Sequence, residues 1–198
     1  MLFAPKGQTK GLPTSLLDYH AGFFKEPLGY RLMDTLVSGV PWQQKTVKMY
    51  DKKVVTPRLS AWYADVEKFD YTRIDKDPPN GWTPELLYIK ERVELVAGIT
   101  FNSVLLNYYR DGNDSVAWHS DNERALGSHP TIASVSFGQV RPFDIRKKGN
   151  HSEKYSVLLE HGSLLLMKGD LQVNWDHRIA KSNRPMRPRL NLTFRVVH

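Results

Sequence analysis

The chain has 198 residues, with 28 Lys and Arg against 21 Asp and Glu for a formal net charge of +7. At 40% hydrophobic and 25% charged residues it has the balance of a folded soluble domain rather than a disordered chain. The absence of cysteine excludes disulfide frameworks, Cys-ligated zinc, iron–sulfur clusters and thiol nucleophiles.

No apolar run reaches the ~18 residues of a membrane-spanning helix. The first 17 residues are basic and broken by Gly and Pro, unlike a signal peptide. An intracellular, monomeric protein with no membrane partner is expected, cytoplasmic in a bacterium and nuclear and cytoplasmic in a eukaryote. After this loose opening, residues 27–39 read as a short helix with Leu28, Leu32, Leu36 and Val37 on one side. Residues 42–49 and 54–62 read as strands joined by a turn at Asp51-Lys52-Lys53. The polar stretch 67–82 contains Pro78-Pro79-Asn80-Gly81, a loop signal. Residues 84–98 predict the best helix: Thr83 caps it, Pro84 suits its first turn, and Gly98 ends it. Leu86, Ile89, Val93 and Val96 form its apolar stripe.

From residue 101 the pattern changes to short β-rich runs at 103–109, 115–119, 131–137, 143–147, 155–160, 163–167, 176–179 and 190–197, with turn residues between them. Many short strands after an α-containing start predict a double-sheet jelly roll buttressed by helices. An immunoglobulin-like sandwich is the structural rival, but its buried disulfide is missing.

The chemistry centres on His119-Ser120-Asp121. On a strand, residues i and i+2 share a face, so both side chains can reach one point. His177 follows after 55 intervening residues, in another predicted strand. Two imidazoles and one carboxylate cover one face of an octahedral ion and leave the other open, which suits a non-heme Fe(II) that takes up a co-substrate and O2. An isolated H-x-D also occurs as ordinary hydrogen-bonded residues.

A second element is the run 189–195, in which Arg189, Asn191, Thr193 and Arg195 face one way and Leu190, Leu192 and Phe194 the other. Facing the interior of a sheet sandwich, two guanidiniums would be costly without an anion to pair with. A dicarboxylate fits, because Arg binds carboxylates bidentately. The same alternation also suits an edge strand with one wet face. Asn107 and Tyr109 share a face and can reach the same anion; Tyr108 between them reads as core.

Positive charge points to polyanions: residues 178–195 hold Arg178, Lys181, Arg184, Arg187, Arg189 and Arg195 and no acid. Aromatics (Trp42, Tyr50, Trp62, Tyr63, Tyr71, Trp82) are scattered through the first half, and basic grooves with aromatic faces suit phosphates and unstacked bases. Solvated lysines that serve only solubility give the same totals.

In their order and spacing, N-x-Y (Asn107, Tyr109), H-x-D (His119, Asp121), the distal His177 and R-x-N-x-x-x-R (Arg189, Asn191, Arg195) resemble the AlkB-type Fe(II)/2-oxoglutarate-dependent dioxygenases, in the branch that repairs alkylated nucleobases. The resemblance spans roughly residues 40 to 197, with agreement also at 132–138, 161–165 and 191–195. It implies an α+β, mainly β fold: a double-stranded β-helix (jelly roll) with N-terminal buttressing helices and a nucleotide-recognition hairpin or lid. One catalytic domain would fill 1–198, about 1–100 forming the extension, lid and buttress and about 101–198 the core.

The resemblance further implies that His119, Asp121 and His177 hold Fe(II), that Arg189 and Tyr109 pair with the distal carboxylate of 2-oxoglutarate, and that Arg195, Asn191 and Asn107 steady its metal-proximal end. With O2, the implied activity is oxidative demethylation of 1-methyladenine and 3-methylcytosine in DNA, with RNA left open, on a base that is unpaired or flipped. Tyr71, with Arg73 beside it, falls in the segment that packs on the base opposite His119. Glu123 is placed to accept from an exocyclic amine if the strand continues, or else to pair with Arg124. Met49 and Tyr50 occupy a hairpin that wedges into a duplex in a relative, or pack as an ordinary hairpin. Asn122 departs from the acid of close relatives, and His161 matches a histidine that binds no metal. His20, His129, His151 and His198 read as surface residues. A 2-oxoglutarate hydroxylase of a protein or small molecule, and a nucleic-acid-binding module with a vestigial metal site, are the alternatives.

Overall fold

The computed structural model describes residues 14–49, 52–65 and 78–198. A six-stranded antiparallel sheet has the order β1-β10-β7-β12-β5-β4, and a four-stranded one the order β6-β11-β8-β9. The first comprises β1 (Leu17–His20), β4 (Leu59–Ala64), β5 (Ser103–Tyr109), β7 (Ile132–Gly138), β10 (Ser163–Met167) and β12 (Arg189–Arg195). The second comprises β6 (Val116–His119), β8 (Arg141–Lys147), β9 (Asn150–Leu159) and β11 (Trp175–Ile179). A separate hairpin pairs β2 (Thr46–Met49) with β3 (Lys52–Val55).

The two faces of the large sheet have different partners. Val104 and Leu106 of β5, Ala133, Val135 and Phe137 of β7, and Leu190, Leu192 and Phe194 of β12 pack with α1 (Leu28–Gly39) and α2 (Pro84–Ala97) in one core. On the other face, Leu17, Tyr109, Ile132, Leu165 and Met167 meet Phe143, Ile145, Val157, Leu159, Trp175 and Ile179 of the smaller sheet. The result is a sheet sandwich with helices on one outer face, the jelly roll expected from the strand pattern.

α2 begins where Thr83 Oγ1 accepts the Leu86 N–H at 3.3 Å, and it ends at Gly98 in the left-handed region, φ 66°. Its buried stripe is Leu86, Ile89 and Val93. Val96, expected on that stripe, is 41% exposed. Ten residues at 3.6 per turn rotate it about 80° from Leu86, whereas position 97 returns to the line, and Ala97 packs against the core.

Other expectations also change. The strand expected at 54–62 is two strands, because Pro57 has no N–H to continue a ladder. β3 stays with β2, while β4 pairs with β5, Leu59 facing Tyr108. Lys52 and Lys53, expected in the turn, lie in β3 opposite Met49 and Lys48. β1 was not expected: it is four residues long with only Leu17 buried, too short to show a period, and it is an edge strand against β10. The single turn α3 (Leu171–Asn174) was likewise unexpected.

Candidate metal and co-substrate site

β6 and β11 are antiparallel neighbours, and their register sets His119 directly opposite His177. Asp121 joins them, and one ligand atom from each of the three lies within 4.8 Å of the others. β6 ends at His119, so Asp121 reaches the point from a loop rather than from the strand expected to carry it. Glu123 is likewise off any strand, just before the 3₁₀ turn Arg124–Leu126.

The three groups are prepared as ligands. His119 Nδ1 lies 2.9 Å from the Ala117 carbonyl; donating there leaves the Nε2 lone pair, 3.6 Å from Asp121 Oδ1, for a cation. Burial, with His119 beside it, pushes the His177 pKa down to about 4, so this imidazole is neutral near pH 7. Burial opposes the Asp121 carboxylate, but Arg195, whose Nη2 donates to Oδ2 at 2.8 Å, helps to hold its pKa below the usual range. Two imidazoles and a carboxylate form an open face for a divalent cation.

Deeper between the sheets, the polar side of β12 faces the smaller sheet. Arg189 is 1% exposed; its Nη2 donates to Ser136 Oγ at 2.9 Å, and its guanidinium lies 5.0 Å from the Tyr109 ring. Among the described residues, the buried Arg189 Nε and Nη1 have no hydrogen-bond partner. Burial pulls this guanidinium below its ordinary pKa and Tyr109 offsets part of that effect. A buried cation with two unmet donors fits a carboxylate. Asn191 Nδ2 is anchored on Ser134 Oγ and the Val135 carbonyl at 2.8 and 2.9 Å. Asn107 Oδ1 accepts from Arg58 Nε at 2.7 Å. Arg195, expected at the metal-proximal end of the co-substrate, is engaged with Asp121. All eight residues expected to hold metal and co-substrate line one cavity.

A wider cavity of about 300 Å³ adjoins it and shares His119, Asp121, Asn107 and Arg58. Lys45, Ser60, Trp62 and Glu123 are among its other lining residues. Arg58 had no sequence signal as a site residue, and Trp62 had only that of one scattered aromatic among several: Arg58 follows the Pro57 break, and only the pairing of β4 with β5 brings Ser60 opposite Asn107. Trp62 points its indole N–H at Ser103 Oγ, 2.7 Å away. Tyr50, Tyr71 and Arg73, and the side chain of Met49, lie outside the described residues. His161 stands apart from the triad; Nδ1 accepts the Gly138 N–H at 2.9 Å and its ring stacks on Tyr30 at 3.9 Å.

Two imidazoles and a carboxylate beside a buried guanidinium, set inside a jelly roll, offer the donors that Fe(II) and a 2-oxo acid would need. The chain matches the 2OG-Fe(II) oxygenase superfamily over residues 17–195 and belongs to it. It is 43% identical over 175 residues to the alpha-ketoglutarate-dependent dioxygenase alkB homolog 3 of mouse and of human, covering 84% of this chain and 61% of each relative. It is 38% identical over 159 residues to the DNA oxidative demethylase ALKBH2 of cattle, covering 76% of this chain and 57% of that one. The chain thus spans about three fifths of the length of these relatives. The solved structure of OsALKBH1 shares the fold, with a TM-score of 0.63 at 16% identity over 90% of this chain and 97% of that one.

Proposed function

We propose that this protein is an Fe(II)/2-oxoglutarate-dependent demethylase of N-methylated nucleobases, 1-methyladenine and 3-methylcytosine, in DNA, with RNA as the further polymer to be tested. The observation that carries this reading is the position of His119 and Asp121 on the shared wall of two cavities. The inner one offers the unsatisfied Arg189 guanidinium to a carboxylate. The outer one offers Trp62, Lys45 and Glu123 to a flat polar ligand, and its volume falls at the lower end of the ~300–1,000 Å³ usual for small-molecule pockets. The similarity to alkB homolog 3 and to ALKBH2, and the +7 charge, support a nucleic-acid substrate.

Each residue has a task in this reading. His119, Asp121 and His177 would hold the metal. Arg189, with Tyr109 against it, would take the distal carboxylate of 2-oxoglutarate, and Asn191 and Asn107 would line its path. Arg195 keeps Asp121 ionised and aimed. Fe(II), 2-oxoglutarate and O2 together supply a two-electron oxidation, in which 2-oxoglutarate leaves as succinate and CO2 and the N-methyl carbon leaves as formaldehyde. The methylated nitrogen lies on the Watson–Crick edge, so the base must leave its stack to enter the outer cavity. There Trp62 offers an apolar face and Glu123 an acceptor.

The test is incubation with Fe(II), 2-oxoglutarate and matched single-stranded DNA, duplex DNA and RNA carrying 1-methyladenine. Formaldehyde and succinate in equal amounts are expected from at least one of them. Succinate formed with a peptide or small-molecule substrate, and no formaldehyde from any oligonucleotide, would overturn the reading.

A further inference from the structure

The loop carrying Asp121 should be loose. β6 stops at His119, so no ladder bond holds residues 120 and 121, and a carboxylate that must meet two imidazoles within a few tenths of an ångström needs another anchor. Arg195 fixes one end, the carboxylate oxygen Oδ2. The backbone is held from the opposite side by a group that has no place in the chemistry above.

Gln172, 1% exposed on the single turn α3, accepts the Asp121 N–H on its Oε1 at 2.8 Å. Its amide nitrogen lies 3.6 Å from Met167 Sδ, which keeps the carboxamide oriented with oxygen toward Asp121. Lys148, in the turn between β8 and β9, donates through Nζ to Ser120 Oγ at 2.9 Å and to the Gln172 and Val173 carbonyls at 3.1 and 2.9 Å. Its own N–H donates to the Asn174 carbonyl at 2.8 Å. The chain then runs from α3 directly into β11 and His177. One short helical turn therefore touches the segment before one ligand and the backbone of another.

We propose that Gln172 and Lys148 are positioning residues that clamp the Ser120-Asp121 segment against α3, through the Ser120 hydroxyl and the Asp121 N–H, so that the affinity and geometry of the metal centre depend on two side chains that offer no ligand atom. Outer-shell partners of this kind are worth about 10- to 100-fold in metal affinity where they orient a ligand. The clamp rests on the assignment of His119, Asp121 and His177 as metal ligands, and the experiment separates the two.

Co(II), which is stable in air, is titrated into the full chain, with tryptophan fluorescence reporting affinity and visible absorption reporting geometry. Asp121→Ala tests the assignment: Co(II) binding as tight as in the unaltered chain would remove the triad and the clamp with it. With Asp121→Ala weakened, Gln172→Met, similar in length but without the acceptor, should bind Co(II) about 10- to 100-fold more weakly and with an altered absorption band. Lys148→Met should show a smaller loss in the same direction. The metal-free melting temperature is measured beside them, because a merely structural role lowers it while leaving affinity and spectrum of the folded protein unchanged.

Gln172→Met within about twofold of the unaltered chain, with the same spectrum, overturns the role of Gln172, and the same result for Lys148→Met overturns that of Lys148. If Gln172→Met does not fold, Lys148→Met decides alone: a loss above about twofold upholds the clamp and a smaller one overturns it.

Discussion

Replacing Arg189 by Met should move two properties in opposite directions. Arg189 is 1% exposed, with a hydrogen bond to Ser136 and, among the described residues, no hydrogen-bond partner for Nε and Nη1. Desolvating an ion costs several kcal/mol unless a counter-charge repays it, and apolar replacements of buried ions are often neutral or stabilising by ~1–4 kcal/mol. One hydroxyl, Ser136 Oγ, loses its donor in the variant, which takes back about 1 kcal/mol. Metal-free Arg189→Met should therefore be as stable as the unaltered chain or more stable, by up to about 2 kcal/mol. Binding of 2-oxoglutarate should fall, since truncating one partner of a buried charge pair costs ~2–5 kcal/mol. At 1.36 kcal/mol per decade, a loss of ~2–5 kcal/mol is about 30- to 5,000-fold in Kd. Calorimetric titration of 2-oxoglutarate into the Mn(II)-loaded protein, with urea melts of the metal-free protein, measures both. An affinity within about threefold of the unaltered chain, or a variant less stable than it by more than ~1 kcal/mol, would show that Arg189 is a structural cation and that the anion seats elsewhere.

His119→Ala should abolish formaldehyde release while leaving the affinity for a methylated oligonucleotide within a few-fold; that affinity should fall steeply with salt in both proteins, as phosphate contacts require. Loss of oligonucleotide binding in the variant would mean that the ligand residue also builds the nucleic-acid surface. Burial holds the His161 pKa below its ordinary 6.5, so the unfolded chain takes up this proton first as pH falls. Its contribution to stability is complete above pH 6.5 and is lost below it, when a proton on Nδ1 displaces the Gly138 N–H. Urea melts of His161→Asn, which cannot titrate, should lose less stability than the unaltered chain between pH 7.5 and 5; parallel curves contradict this. Thr83→Ala removes the acceptor at the start of α2 and should cost about 1 kcal/mol by thermal or urea melts with no change in Co(II) affinity.

Alternation and spacing made the middle of the fold readable. Ser103–Tyr109 and Ser163–Met167 are strands with the limits the pattern predicts, since each has both a packed face and turn residues at its ends. The cap and stop of α2 were legible because Thr83, Pro84 and Gly98 act on their immediate neighbours. What stayed hidden depends on partners distant in sequence. β1 has no pattern of its own and exists because β10 offers it an edge. Arg58 meets Asn107 across 49 positions, and Gln172 meets Asp121 across 51. Neither spacing is periodic, so only the folded chain brings them together. Asp121 shares no strand with His119 because β6 ends at His119, where the 115–119 run also ends, and Glu123, placed on the same face only if the strand continued, follows outside any strand.

β12 shows why core and site were legible together. Leu190, Leu192 and Phe194 enter the helix-side core, and the residues between them line the cavity. A shift of one residue would put Arg189, Asn191 and Arg195 among the aliphatic side chains and the leucines into the site, since side chains alternate with period two. That misregistered state would bury two guanidiniums without any acceptor, which no apolar gain offsets. Both neighbours enforce the correct register: Arg189 stands opposite Tyr109 and Gly138, and Asn191 opposite Asn107 and Ser136. Ser134 and Ser136 on β7 then supply the acceptors that a leucine-lined strand would lack. The arginines therefore act against their own slippage, and the same pairing that closes the hydrophobic core delivers an unsatisfied guanidinium to the inner end of the metal cavity.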